Sequence, residues 1–352
     1  MSKNVRKALL ALLVILVLLF VVLGIIMAPL PPTEPLPNPN GYDDFVRAGK
    51  MIAGPLDDAA KLALDELRAL IQTNAEPLRL ARLGLTRRCA VPTDANIANF
   101  ANNTSEMIAL KRLAVLLSSE GRLKELDNQL GDAARCYVET IHLGSAMSHG
   151  GFLINRLVGI ACEAIGAIRL TKLVPNLSCE QSRPLISELQ EMDTNTVSWE
   201  EVARNEKRFA RAAMQRSNPL ELISGLAQLA WSRVQGRSMI QKNKVKHDSA
   251  AAHLRLIEVE LALRCYRGEQ GSVPASLDQL VPKYLSRVLL DPFSDHPLVY
   301  QAQGTNWLLY SLGPDRVDDG GKPFVRTSSG TITGEGSGTP VASGDLRYDL
   351  SW

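Results

Sequence analysis

An uninterrupted apolar run from Ala8 to Ala28 stands directly behind Lys3, Arg6 and Lys7. At 1.5 Å per residue these 21 residues would make a helix of ~31 Å, the thickness of a bilayer's hydrocarbon core. A cleaved signal peptide shares the basic flank, but its apolar region runs only ~7–15 residues and ends at a small-residue site. Here the run is longer, and Ala28 is followed by Pro29, which opposes cleavage. The spacing therefore predicts a single-pass transmembrane anchor over 8–28, with the basic flank 1–7 in the cytoplasm and the bulk of the chain exported. The expected location is a bacterial inner membrane with the C-terminal bulk on the periplasmic side.

Behind the anchor comes PLPPTEPLPNPN, Pro29 to Asn40, with six prolines in twelve residues. Such a stretch supports neither helix nor central strand and favours extended polyproline II. It predicts a semi-rigid stalk of up to ~35 Å that lifts the next domain off the membrane. The remaining chain, out of 352 residues in all, is long enough for a sizeable core. A formal net charge of +2 gives no global field for nucleic acid.

From Leu56 to about Leu263 the pattern is helical with short breaks, and the fold class expected is mainly α. LDDAAKLALDELRALI places Asp57 and Asp58 in a first turn and Leu62, Leu67, Leu70 and Ile71 toward one face. SEMIALKRLAVLLSSEGRLKEL and QLGDAARCYVETIHLGSAMS follow, with Gly131 and Asp132 as break and cap. Over about 107–146 this pair resembles a tetratricopeptide-type hairpin. The first helix would end near Gly121, and Ala133, Ala134 and Tyr137 would be packing positions. No clean 34-residue recurrence accompanies it, so a plain helical array explains the pattern equally. Gly150 to Leu170 is the most apolar segment after the anchor, but Arg156, Glu163 and Arg169 interrupt it. It reads as a buried central helix rather than a second crossing.

Five cysteines, Cys89, Cys136, Cys162, Cys179 and Cys265, stand singly. An odd count in an exported chain leaves at least one free, and the ordinary reading for Cys136, Cys162 and Cys265 is core packing. Residues 204–246 hold ten Lys or Arg against Glu206 and Glu221. A solvated helix face and contact with anionic lipid headgroups are both consistent with that amphipathic basic stretch. Nucleic acid is not an expected partner on the exported side of a membrane.

Catalytic signatures are missing: G-x-S-x-G, H-E-x-x-H and a P-loop do not occur. Glu139 and His142 form a single Glu-x-x-His, half of what a di-iron bundle needs. Gly334-x-Gly336-x-Gly338 lies in low-complexity sequence and is no nucleotide fingerprint. The tail from 326 to 352 is Ser, Thr and Gly and is expected to be disordered.

The C-terminal region carries a more specific likeness. LALRCYRGEQGSVPASLDQLVPKYLSRVLLDPFSDHPLVY, continuing to WLLYSLGPDRVDDGG, resembles the globular part of the major pseudopilins of type II secretion systems. The landmarks are Tyr266 near a helix end, Gly271 and Pro274 before SLDQL, and Tyr284-Leu285. Then come the DPF at 291–293, a short strand with Tyr300, and YSLGPD. The likeness covers about 257–321, within a small α+β module placed at 251–325. Its strands are expected at Leu298–Gln301 and Trp307–Ser311. The resemblance implies a calcium-binding loop, in which Asp315 matches the family's aspartate. Asp318 and Asp319 match as acidic residues of the following loop, and the Leu312 carbonyl is a backbone ligand. Hard oxygens beside glycines suit Ca²⁺; a solvated Asp/Gly turn is the plain alternative, with Arg316 and Lys322 neutralising the charge. The family's processing motif and its helix glutamate are lacking, and about 230 residues separate anchor from module. The resemblance therefore implies a borrowed head that does not polymerise.

The expected organisation is a flank at 1–7, an anchor at 8–28, a stalk at 29–40, an α-helical domain at 41–250, the module at 251–325 and the tail. The expected function is a non-catalytic, membrane-anchored scaffold that binds envelope proteins, linked to secretion or surface assembly. The alternative is an envelope hydrolase whose site assembles from distant residues.

Overall fold

The computed structural model describes residues 3–30, 34–56, 59–93, 100–216, 219–322 and 344–347. It is mainly helical, with one small antiparallel hairpin near the C-terminus. The helices are α1 (Lys3–Met27), α2 (Gly41–Met51), α3 (Leu64–Thr73), α4 (Ala75–Leu85) and α5 (Phe100–Leu126). They continue as α6 (Leu130–Ala146), α7 (Leu153–Leu173), α8 (Cys179–Asn195), α9 (Trp199–Arg216) and α10 (Pro219–Gln270). Strands β1 (Val299–Gln303) and β2 (Asn306–Tyr310) close the order.

Side-chain chemistry sets the helix starts. Asn40 caps α2, accepting from the Tyr42 amide at 3.2 Å while its own Nδ2 donates to the Ala90 carbonyl at 2.8 Å. Ser178 and Gln181 form a reciprocal capping box at the head of α8. The single helix expected from Leu56 is broken. Ala59–Lys61 is a 3₁₀ turn and α3 begins only at Leu64, while Asp57 and Asp58 lie outside the described residues.

Two apolar cores result. One joins α2, α4 and α5 to the end of α6 through Tyr42, Phe45, Leu110, Leu113, Leu117 and Leu143. The other joins α6, α7, α8 and α10 to the C-terminal module, from Tyr137 and Leu189 through Leu256 and Leu263 to Phe293 and Leu298. The boundary expected at 250/251 falls inside α10, and this second core runs across it. The hairpin-like pair over 107–146 becomes α5 and α6. Gly121 lies within α5 rather than ending it; its glycine serves the contact with α6, since a Cβ there would stand 2.5 Å from the Tyr137 ring. Ala133, Ala134 and Tyr137 are fully buried, as packing positions should be.

β1 and β2 pair antiparallel with Gln303 opposite Asn306, so Gly304 and Thr305 form the turn, Gly304 at φ +64. Cys179 and Cys265 form a disulfide with Cα atoms 4.7 Å apart. This corrects the reading of Cys265 as a core thiol: α8 packs on α10 and brings its first residue to it. Cys89, Cys136 and Cys162 are free.

The anchor expected at 8–28 lies within α1, some of whose side chains are outside the described residues. Among the described residues, no helix is long and apolar enough to cross a membrane. Those of α1 that are described include exposed Leu9, Leu10, Leu12, Leu13, Val14, Val17 and Phe20. Beyond α1, the Ala28 carbonyl accepts from Arg211 at 2.5 Å and Gln215 at 2.9 Å. α9 therefore meets the end of α1, whose last carbonyls need donors.

Candidate functional site

The acidic loop after β2 is held by a residue that sequence reasoning passed over. Asp291, buried at the start of the DPF element, accepts from Ser311 Oγ at 2.8 Å, the Leu312 amide at 2.8 Å and the Phe293 amide at 3.0 Å. The DPF and YSLG elements are thus one hydrogen-bonded unit. Ser311 then exchanges two backbone bonds with Leu346, each 2.9 Å. Residues 344–347, placed in the disordered tail by composition, return to the loop as an isolated bridge. The rest of the tail lies outside the described residues.

This return delivers Asp345. It is fully buried, its Oδ2 accepts from the Gly321 amide at 2.7 Å, and its Oδ1 has no partner. Asp319 likewise has a buried Oδ2 without a partner. Burial raises the Asp345 pKa, the amides of Gly321 and Asp319 oppose that, and the charges of Asp318 and Asp319 raise it further. Asp318 turns elsewhere: its Oδ1 accepts from Tyr310 Oη at 2.7 Å and the Gly320 amide at 2.9 Å, which holds its pKa low. Asp315 accepts from the amides of Val317 and Gly344, both at 3.3 Å. Leu312 is fixed through its amide on Asp291. No ion pair joins Arg316 or Lys322 to these aspartates among the described residues.

Of the expected set, the structure gives Asp319 a free buried oxygen and pairs it with Asp345, while Asp315 and Asp318 are engaged by protein donors. Among the described residues, no group of three or more His, Cys, Asp or Glu is arranged to hold a metal. Two buried carboxylate oxygens, one on the loop and one on the returning segment, are thus left without protein donors, a desolvation cost that nothing in the described residues offsets.

Elsewhere, titratable groups are consumed internally. Arg156 and Glu163, each 1% exposed, pair at 2.5 Å, and Arg156 Nε donates to His247 Nδ1 at 3.0 Å. Ser148 Oγ lies 3.4 Å from the same guanidinium. Burial, then Arg156 and Lys244, lower the His247 pKa to about 3. Glu139 of the Glu-x-x-His is taken by Arg82, at 2.9 Å, which also binds Glu120 at 2.7 Å. Glu258 is fully buried with neither oxygen partnered, and desolvation raises its pKa well above the carboxylate range.

One open groove of about 350 Å³ runs beside α2 and α5. Tyr42, Val46, Met51 and Pro92 form its apolar part, with Asp43, Arg47, Lys50 and Glu106 as charged lining. Tyr42 Oη donates to Glu106 at 3.2 Å. No family model, no curated protein and no solved structure matches this chain.

Proposed function

We propose that the protein is a single-pass, exported envelope protein whose helical domain and C-terminal module bind other envelope proteins as a non-catalytic scaffold, linked to secretion or surface assembly. The observation that carries this reading is the groove beside α2 and α5. Its apolar residues with charged neighbours have the anatomy of an interface core and rim, with Met51 exposed among them. The sealed Arg156–Glu163–His247 network supports the same reading, since its polar groups answer one another and not a substrate.

The anchor at 8–28 and the inner-membrane location rest on the apolar run, its basic flank and the exposed leucines of α1. The likeness to pseudopilins rests on the residues that carry it, to which the Asp291 bridge adds a physical link between two of its elements. Its implied Ca²⁺ would be held by Asp319 and Asp345 with Asp315, Asp318 and the Leu312 carbonyl in reach of the same loop. The ion would staple the returning segment to the hairpin.

A photocrosslinking residue in place of Lys50 or Met51, irradiated in intact cells, is expected to capture reproducible envelope-protein neighbours. If the captured set is no different from that of a residue on the far side of the domain, the scaffold reading is wrong. Carbonate-washed membranes should retain full-length protein; a soluble form starting near Pro29 would remove the anchor.

A further inference from the structure

α9 is a bracket between the end of α1 and the helical domain. On its inner side, Glu201 accepts from the Gly150 amide at 3.2 Å and Glu206 from the Leu153 amide at 3.0 Å. Asn205 donates to the Gly151 carbonyl at 3.0 Å, and the Phe209 ring lies 4.7 Å from that of Phe152. Two of its acidic side chains thus answer the positive N-terminal end of α7. Its far end holds the Ala28 carbonyl through Arg211 and Gln215.

What remains outward is mostly cationic. Arg204 and Lys207 are exposed on α9, as are Lys242 and Lys246 on α10. Trp199 and His247 meet with ring centroids 5.8 Å apart. Counting five residues from that contact on either helix puts Arg204 and Lys242 at one level, ~7.5 Å along the pair. The other acids nearby are Asp248, paired with Lys244 at 2.7 Å, and Glu200, which is exposed. Lys207 lies one turn, ~6 Å along α9, from Arg211, whose guanidinium reaches the Ala28 carbonyl where the chain leaves α1. The headgroup layer on each side of a bilayer is ~5–7 Å deep.

We infer that this outward strip of α9 and α10 is a docking surface for anionic phospholipid headgroups, with Arg204, Lys207 and Lys242 as the contacting residues. The inference rests on the anchor reading, which puts Ala28 at the membrane surface. Given that, Arg211 reaches the membrane surface, and Lys207, one turn away on the same helix, brings a charge complementary to lipid phosphate toward the headgroup layer. The basic side chains at 216, 233 and 237 lie outside the described residues and play no part.

The test uses the full chain inserted in vesicles of phosphatidylcholine alone, or with about one-third phosphatidylglycerol. A water-soluble amine-acetylating reagent is applied and labelling is read by mass spectrometry. Lys207 and Lys242 should label about fivefold more slowly in the anionic vesicles, the scale of one cation's attraction to a charged surface. Lys172, exposed at the far end of α7, should label equally in both. In the R204E/K207E variant, protection of Lys242 should vanish without a change in melting temperature. Equal labelling of Lys207 in both vesicles, with the protein still resisting carbonate, overturns the headgroup contact and leaves the anchor intact. If carbonate strips the protein from neutral vesicles, the anchor reading fails. The inference, which rests on that reading, then falls with it.

Discussion

At the scale of residues, the molecule holds its charges in three kinds of setting, and each has a measurable signature. Arg156 and Glu163 are paired beyond the reach of water, so Glu163→Gln leaves a guanidinium without its counter-charge. Denaturant melts should show a loss of about 3–5 kcal/mol, while R156M/E163L recovers most of it. A single variant within experimental error of wild type would contradict the burial. His247 is held neutral, its pKa lowered from 6.5 to about 3. The unfolded chain takes up a proton that the folded one refuses, so stability is full above the ordinary histidine range. It falls as pH drops from about 6.5 toward 3, by up to about 1.4 kcal/mol per pH unit. His247→Asn, whose Oδ1 can accept from Arg156, should flatten that slope in acid melts. Asp345 is the third setting, a buried carboxylate whose pKa is raised. Calcium should raise the melting temperature and a chelator lower it, and Asp345→Asn should abolish the difference. An identical midpoint with and without calcium would leave the loop a polar turn. Asp345 was illegible in the sequence. Composition assigns a Ser/Thr/Gly tail to disorder, and nothing local announces that 344–347 will pair with Ser311.

Among the elements, what could be read was what local chemistry decides. The antiparallel pair of strands near 298–311 and the burial of Ala133, Ala134 and Tyr137 follow from alternation and spacing. What could not be read was extent. α10 runs from Pro219 to Gln270, straight across the domain boundary expected at 250/251, because tertiary packing and not propensity sets its length. The closeness of α6 and α7 is equally a tertiary fact. A Cβ on Gly166 would sit 2.4 Å from the Tyr137 carbonyl, and one on Gly144 would sit 2.4 Å from the Gly159 carbonyl. Gly166→Val should therefore push these helices apart and cost about 1–3 kcal/mol, as overpacking does. Urea unfolding measures it; a cost under about 0.5 kcal/mol, the surface value, would mean the two helices stand farther apart.

For the whole molecule, the second apolar core binds the C-terminal module to α6, α7 and α8, and the Cys179–Cys265 disulfide, spanning 86 positions of sequence, ties the same parts covalently. Closing a loop of that length restricts the unfolded chain, so reduction should lower stability by about 2–5 kcal/mol. Thermal melts with and without reductant, repeated on C179S/C265S, check this; a reductant effect that persists in the double variant would not come from this bond. Pairing was not legible because five single cysteines allow many partners, and only the seating of α8 on α10 selects one.

The 52 residues of α10 make a rod of ~78 Å, which begins beside α9, the helix that grips the end of α1, and ends at the β-hairpin. Such a rod is a screw as well as a spacer. Each residue added or removed along it turns everything beyond by ~100° and advances it by ~1.5 Å. A single-residue change between the α9 contact and the second core would therefore set the bearing of the rod's far end ~100° away from the seat that the core and the disulfide give it, whereas seven-residue steps nearly restore that bearing and alter only the height. Length variation in this segment is thus geared to orientation, and only near-heptad changes keep the module facing the same way.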